Sequence, residues 1–242
     1  MWNFLRRRRA SEPEPDVRTP EEAAAAFWRG WDELLPRISA ALGDREPHRV
    51  EHELCELVAT LHPDLHFALE RGEKAIYALV VSGQGDPELR PYTDAWIAAA
   101  PPPSPVWEFH DAVPPVPDPT EVTVNIGPHR LPLREVRVAA LLDEAEGLVD
   151  VAVHHPKLAD LDESARQAMT FLPLDATLGE RLAVDRIGRV ETAEAEPQNS
   201  MSLLELRDLV REFDARIRAR DTEGETGGAE AETEGQPPAD ER

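Results

Sequence analysis

The sequence predicts an α+β fold: a mixed or antiparallel sheet of about five to seven strands with helices packed on one face, plus a separate C-terminal helix. Three observations predict it. Apolar residues recur at helical spacing near both ends of the chain. Between them, short apolar runs bounded by Gly, Pro and Asp follow the pattern of strands. The 23 prolines among 242 residues keep these elements short.

Residues 1–18 join a basic start to an acidic, Pro-rich spacer and are expected to be disordered, because neither part carries enough apolar content for a core. Thr19 caps the first helix, with Pro20 in its first position and Glu22 completing a capping box. Ala24, Phe27, Trp28, Trp31, Leu35, Ile38 and Leu42 share one face of it; Pro36 is expected to kink or split it, and Gly43 to stop it. A second helix from about Pro47 to Leu61 buries Val50, Leu54, Leu57, Val58 and Leu61.

His66–Glu70 and Lys74–Val81 read as a hairpin, its second strand apolar on both faces as a central strand would be. Asp86 and Pro87 open a third helix that carries Leu89, Tyr92 and Trp96 inward, and the prolines at 101–103 end it. Strands follow at Val106–Phe109 and at 120–126, where Val122, Val124 and Ile126 alternate; 134–142 and 148–155 read as a hairpin. A helix from about Asp162 to Leu172, a helical turn near Leu178 and a strand near Arg186–Glu191 complete the expected domain, which spans 19–192. After a linker at 193–201, Ser202 and Glu205 form a second capping box that opens a helix over 202–220. Residues 221–242 form an acidic tail without apolar content and are expected to be disordered. No internal repeat shows in the sequence.

The formal net charge of −22 repels phosphate backbones, which argues against general nucleic-acid binding. The single cysteine, Cys55, excludes an internal disulfide and a zinc ribbon and fits a reducing compartment. No apolar run approaches the roughly 20 residues of a membrane helix, and the basic start lacks the apolar stretch of a secretory signal. A cytoplasmic protein is expected. Abundant Ala, Arg, Pro, Glu and Asp beside scarce Lys match a high-GC bacterial coding bias.

Several short motifs carry a resemblance. They are His62-Pro-Asp-Leu65, Leu79-Val-Val-Ser-Gly-Gln-Gly85, Ala98-Ala-Ala-Pro101, Trp107-Glu-Phe109, Leu178-Gly-Glu180 and Ile187-Gly-Arg-Val-Glu191. Through them the stretch of roughly 50–192 resembles a family of uncharacterised bacterial cytoplasmic proteins. The resemblance implies an α+β domain with these limits and brings no activity, substrate or catalytic residue.

Among chemical motifs, His48-Arg-Val-Glu-His52 matches the inverted zinc-peptidase pattern, in which two His share a zinc and Glu51 activates its water. The apolar stripe of the same helix lies almost opposite His48 and His52, which places them on a solvated face. Cys55 lies near that face without a base to activate it. Ser82-Gly-Gln-Gly85 stands where phosphate loops stand but lacks their third Gly and Lys, and Asp86 repels an anion. His154 and His155 are expected to point to opposite sides of a strand. Tyr92, Trp96, Trp107 and Phe109 are read as core, and the Pro clusters at 101–105 and 114–119 as spacers.

Two interaction elements are expected. At the start, Trp2, Phe4 and Leu5 beside Arg6, Arg7, Arg8 and Arg9 form a candidate membrane-surface anchor. At the end, Leu203, Leu206, Val210, Phe213 and Ile217 repeat at three and four like a coiled-coil seam. Glu205, Arg207, Asp208 and Arg211 are among the charges expected on the remaining face. The seam is too short to stand alone, so its own domain, a second copy or a partner must cover it, and association is the expected role. The functional expectation is a non-enzymatic binding, adaptor or regulatory protein acting through protein–protein contacts, without a cofactor or metal. The alternative is a zinc-dependent hydrolase using His48, Glu51 and His52.

Overall fold

The computed structural model describes residues 18–231, the last eleven of them (221–231) as backbone alone. The chain divides into two compact units, Met1–Val113 and Pro114–Arg242. That boundary falls inside the stretch expected as one domain. The α+β class holds, but the expected single sheet of five to seven strands does not: the strands form three small sheets of three, two and three strands. Runs of apolar residues identify strands, whereas strand partners are chosen by non-local packing that periodicity does not encode.

The first unit opens with α1 (Pro20–Gly43), started by the full Thr19–Glu22 capping box. Pro36 neither splits nor ends it. That position is exposed, so the carbonyl freed by the missing N–H faces water. A 3₁₀ turn at Pro47–Val50 precedes α2 (Glu51–Ala59), so the second helix is shorter than its apolar stripe suggests. Strands β1 (His66–Arg71) and β2 (Tyr77–Ser82) pair antiparallel; α3 (Arg90–Ala98) then crosses to β3 (Trp107–His110), which pairs parallel to β2.

The core of this unit is aromatic. Phe27 and Trp31 of α1 and Trp96 of α3 are buried, with the Trp28 and Trp96 rings stacked at 5.3 Å. The indole N–H of Trp28 donates to the carbonyl of Trp96 at 2.9 Å. Gly30 lets α2 approach α1, since a Cβ there would meet Leu57 at 2.6 Å.

The second unit begins with a two-stranded ribbon, β4 (Thr123–Ile126) and β5 (His129–Pro132). Next, β6 (Arg137–Asp143) and β7 (Leu148–His154) pair antiparallel; α4 (Glu163–Arg186) crosses to β8 (Ile187–Thr192), parallel to β7. Helix α4 runs through the stretch where the sequence suggested a break after Leu172, and its kink lies at Gly179, at φ 73°. Each unit therefore contains an antiparallel hairpin, a helical crossover and a third strand parallel to the second. This recurrence is invisible as a sequence repeat. Helix α5 (Leu203–Ala231) closes the unit, packs on α4 and β6, and extends beyond the expected end at 220.

Candidate binding site

The residues singled out from sequence are not brought together. His48 lies in the 3₁₀ turn and Glu51 and His52 begin α2; all three are exposed, and His52 Nε2 stands 3.4 Å from Glu56 rather than beside a third ligand. Among the described residues no group of three or more His, Cys, Asp or Glu is arranged to hold a metal. Cys55 is an exposed free thiol. At the Ser82 turn, the N–H of Gln84 donates to Ser82 Oγ at 2.9 Å and that of Glu88 to Asp86 Oδ1 at 2.8 Å, so local side chains occupy donors that a phosphate would need.

His154 and His155 are both buried. His154 Nδ1 lies 3.0 Å from the Ala193 carbonyl, and His155 Nδ1 accepts the N–H of Lys157 at 3.1 Å. Among the described residues no hydrogen-bond partner lies within ordinary reach of His155 Nε2, which is 3.8 Å from Glu135. Burial pushes the His155 imidazole below its ordinary pKa of 6.5, against the pull of Glu135.

The C-terminal seam is covered by its own unit. Leu203, Leu206, Val210 and Phe213 are fully buried with Val138, Val149 and Met169, and Ile217 packs at the margin. Several of the charges expected on the outer face of α5 are paired within the unit: Asp214 accepts from Arg186 and Arg218, and Arg216 meets Glu144. Arg207, expected on the solvated face, is buried and donates to the carbonyls of Thr177, Pro117 and Val116 at 2.7, 2.8 and 2.6 Å. The basic segment with Trp2, Phe4, Leu5 and Arg6 to Arg9 lies outside the described residues. Among the described residues no helix is long and apolar enough to cross a membrane.

The feature that sequence reasoning missed lies at the loop end of the β1–β2 hairpin. Its loop is held from below by a carboxylate. Glu108 of β3 accepts the backbone N–H of Glu73, Lys74 and Ala75 at 2.6, 2.9 and 3.0 Å, with His110 Nε2 at 3.3 Å. Partial burial opposes ionisation, but the three amides and His110 outweigh it and hold the carboxyl at about 2. Gly72 is required for the close turn, since a Cβ there would meet the Ala75 carbonyl at 2.6 Å. The N–H groups of Ile76 and Tyr77 continue into the sheet by donating to Pro105 and Val106.

Above this fixed loop is an open trough of about 710 Å³, with Leu42, Pro47, Leu69, Ile76, Tyr77 and Pro105 as its apolar wall. Glu70, Arg71, Glu73 and Lys74 also line it, supplying both signs of charge. Ile76 is 57% exposed and its neighbour Val106 43%. The Tyr77 ring rests 5.4 Å from Trp107 and so joins the trough to the aromatic core. The sequence signal was Glu108 itself, a lone carboxylate between Trp107 and Phe109. Its three backbone partners lie 33 to 35 residues away, beyond local pattern reading.

None of the protein families, curated proteins or solved structures compared with the chain matches it.

Proposed function

We propose that this chain is a cytoplasmic, non-enzymatic binding protein that acts through protein–protein contacts, with the trough beside the β1–β2 hairpin as its contact surface. One observation carries this reading: exposed Ile76 and Val106 stand beside an apolar trough whose loop is already fixed by Glu108. Two large aliphatic side chains next to a concave apolar wall remain in contact with water until something covers them. A preformed loop lowers the ordering cost of binding. The buried C-terminal seam does not compete for this role.

The test is photocrosslinking in cells with a photoreactive amino acid placed at Ile76, at Val106 and, as a control, at Glu212 on the outer face of α5. A discrete adduct from the first two positions and none from the control supports the reading. Equal labelling at all three, or none at any, removes it.

A further inference from the structure

Strand β1 borders the trough and, among the described residues, is an edge strand paired on one side only. The alternation of an antiparallel ladder determines which of its backbone groups are free. Tyr77 donates its N–H to Val106, toward β3, so its backbone turns away from β1. Arg71 is the partner of Tyr77 in register and stands at a pair without ladder hydrogen bonds; Leu69 opposite Leu79 and Phe67 opposite Val81 follow at two-residue intervals. The N–H and C=O groups of Phe67, Leu69 and Arg71 therefore point outward. Among the described residues no backbone group pairs with them. Neither a proline nor a bulge blocks this edge. Leu69, Glu70 and Arg71 belong both to this edge and to the trough wall.

We infer that the partner docks as an extended peptide, adding a strand to the outer edge of β1 and placing a large apolar side chain in the trough; this rests on the protein-binding reading above. Free backbone donors and acceptors recurring every second residue match another extended backbone, and a helix has none to offer in return. In such additions main-chain bonds supply affinity, and pockets for alternate side chains supply selectivity. A partner residue opposite Leu69 sends its side chain to the face that Leu69 uses, which is the face of the trough. The formal charge of −22 favours a peptide with basic residues on its solvent side and opposes a second copy of this chain.

The experiment screens the full-length protein against a phage-displayed library of random linear peptides and synthesises the selected sequence. Two further versions carry N-methyl groups on alternate amides, in opposite phase. Strand addition predicts that one phase abolishes binding and the other leaves it intact. It also predicts that Arg71→Pro, which removes an outward N–H and spares the β1–β2 ladder, weakens binding about tenfold more than Arg71→Ala, which removes the same side chain and keeps that N–H. A library without a selected binder, equal binding of both methylated phases, or equal effects of the two Arg71 variants overturns the inference. Concentration-dependent dimers abolished by Arg71→Pro overturn it in favour of self-pairing. If the peptide arms fail while crosslinks at Ile76 persist, only strand addition falls; if both fail, the protein-binding reading falls with it.

Discussion

The carboxylate of Glu108 accepts the backbone N–H of Lys74 at 2.9 Å, so a residue on β3 sets the conformation of a loop 34 residues earlier in the chain. The adjacent amides of Glu73 and Ala75 converge on the same side chain. This makes the wall of the trough a product of the sheet rather than of the loop's own sequence.

Glu108→Gln tests that dependence. The amide keeps one acceptor oxygen but turns an N–H₂ toward backbone donors, so the variant should lose about 1–3 kcal/mol of stability near neutral pH. The sign of the pH effect follows from a carboxyl held at about 2 against an ordinary 4.5. The stabilisation is fully present above 4.5 and is lost as pH falls through about 2. Urea unfolding of both proteins across that window should show their stabilities converging toward the acid end. A constant difference at every pH would mean that the charge of Glu108 is not what holds the loop.

His155 should make the second unit acid-sensitive at a higher pH. Burial lowers its folded-state pKa from 6.5, so below 6.5 the unfolded chain binds a proton that the folded chain refuses. Stability is level above that value and falls as pH drops from 6.5 toward the lower folded value. His155→Asn, whose Oδ1 can take the Lys157 N–H in place of Nδ1, should flatten the slope while lowering stability overall. Denaturation between about pH 8 and about pH 5 measures it, and identical slopes would exclude His155 as the source.

Arg207 should behave as a core residue. Its guanidinium joins three carbonyls from two segments, so Arg207→Ala leaves buried acceptors unpaired and should cost about 3 kcal/mol or more. Arg207→Lys should recover only part of the loss, since a single ammonium cannot reproduce the planar fork. Melting temperatures of the three proteins decide this. A loss below about 0.5 kcal/mol for the Ala variant would return Arg207 to the surface role read from its charge.

What was legible in the sequence was local. Thr19 with Glu22 and Ser202 with Glu205 cap helices as their spacing indicates, because a capping box is closed within four residues. The two hairpins were readable for the same reason, and the alternation in 120–126 in part: Thr123–Ile126 is a strand, but Pro119–Glu121 is a 3₁₀ turn opened by Asp118, whose side chain accepts the N–H of Thr120. The partition into three sheets was not, because β2 chooses β3 across a helix and β7 chooses β8 across another. Arg207 was misplaced because a charged residue among other charges reads as solvated, and only the carbonyls of distant Val116 and Pro117 explain its burial. Ile76 was unremarkable in an apolar run; its exposure depends on the loop that Glu108 shapes.

The seam of α5 shows the same limit most directly. Leu203, Leu206, Val210, Phe213 and Ile217 announce that one face must be covered, and periodicity is silent on what covers it. In the structure the cover is α4 and β6 of the same unit, and Phe213 is fully buried. Truncation of the chain after Ala195 should therefore remove part of a core rather than an interaction element. Phe213→Ala is the finer version, and an aromatic deleted from a packed interior costs about 3–5 kcal/mol. Circular dichroism should show a sharply lower melting temperature for both variants, while sedimentation shows no dimer lost, because the seam supports none. The Asp214 cluster supplies an internal control: Arg218→Ala leaves the shorter Arg186–Asp214 bond in place and exchanges only a half-exposed pair, so its effect should stay below about 1 kcal/mol. A truncated chain that melts like the full one, together with a dimer present only when α5 is intact, would return the helix to the association role expected from its sequence.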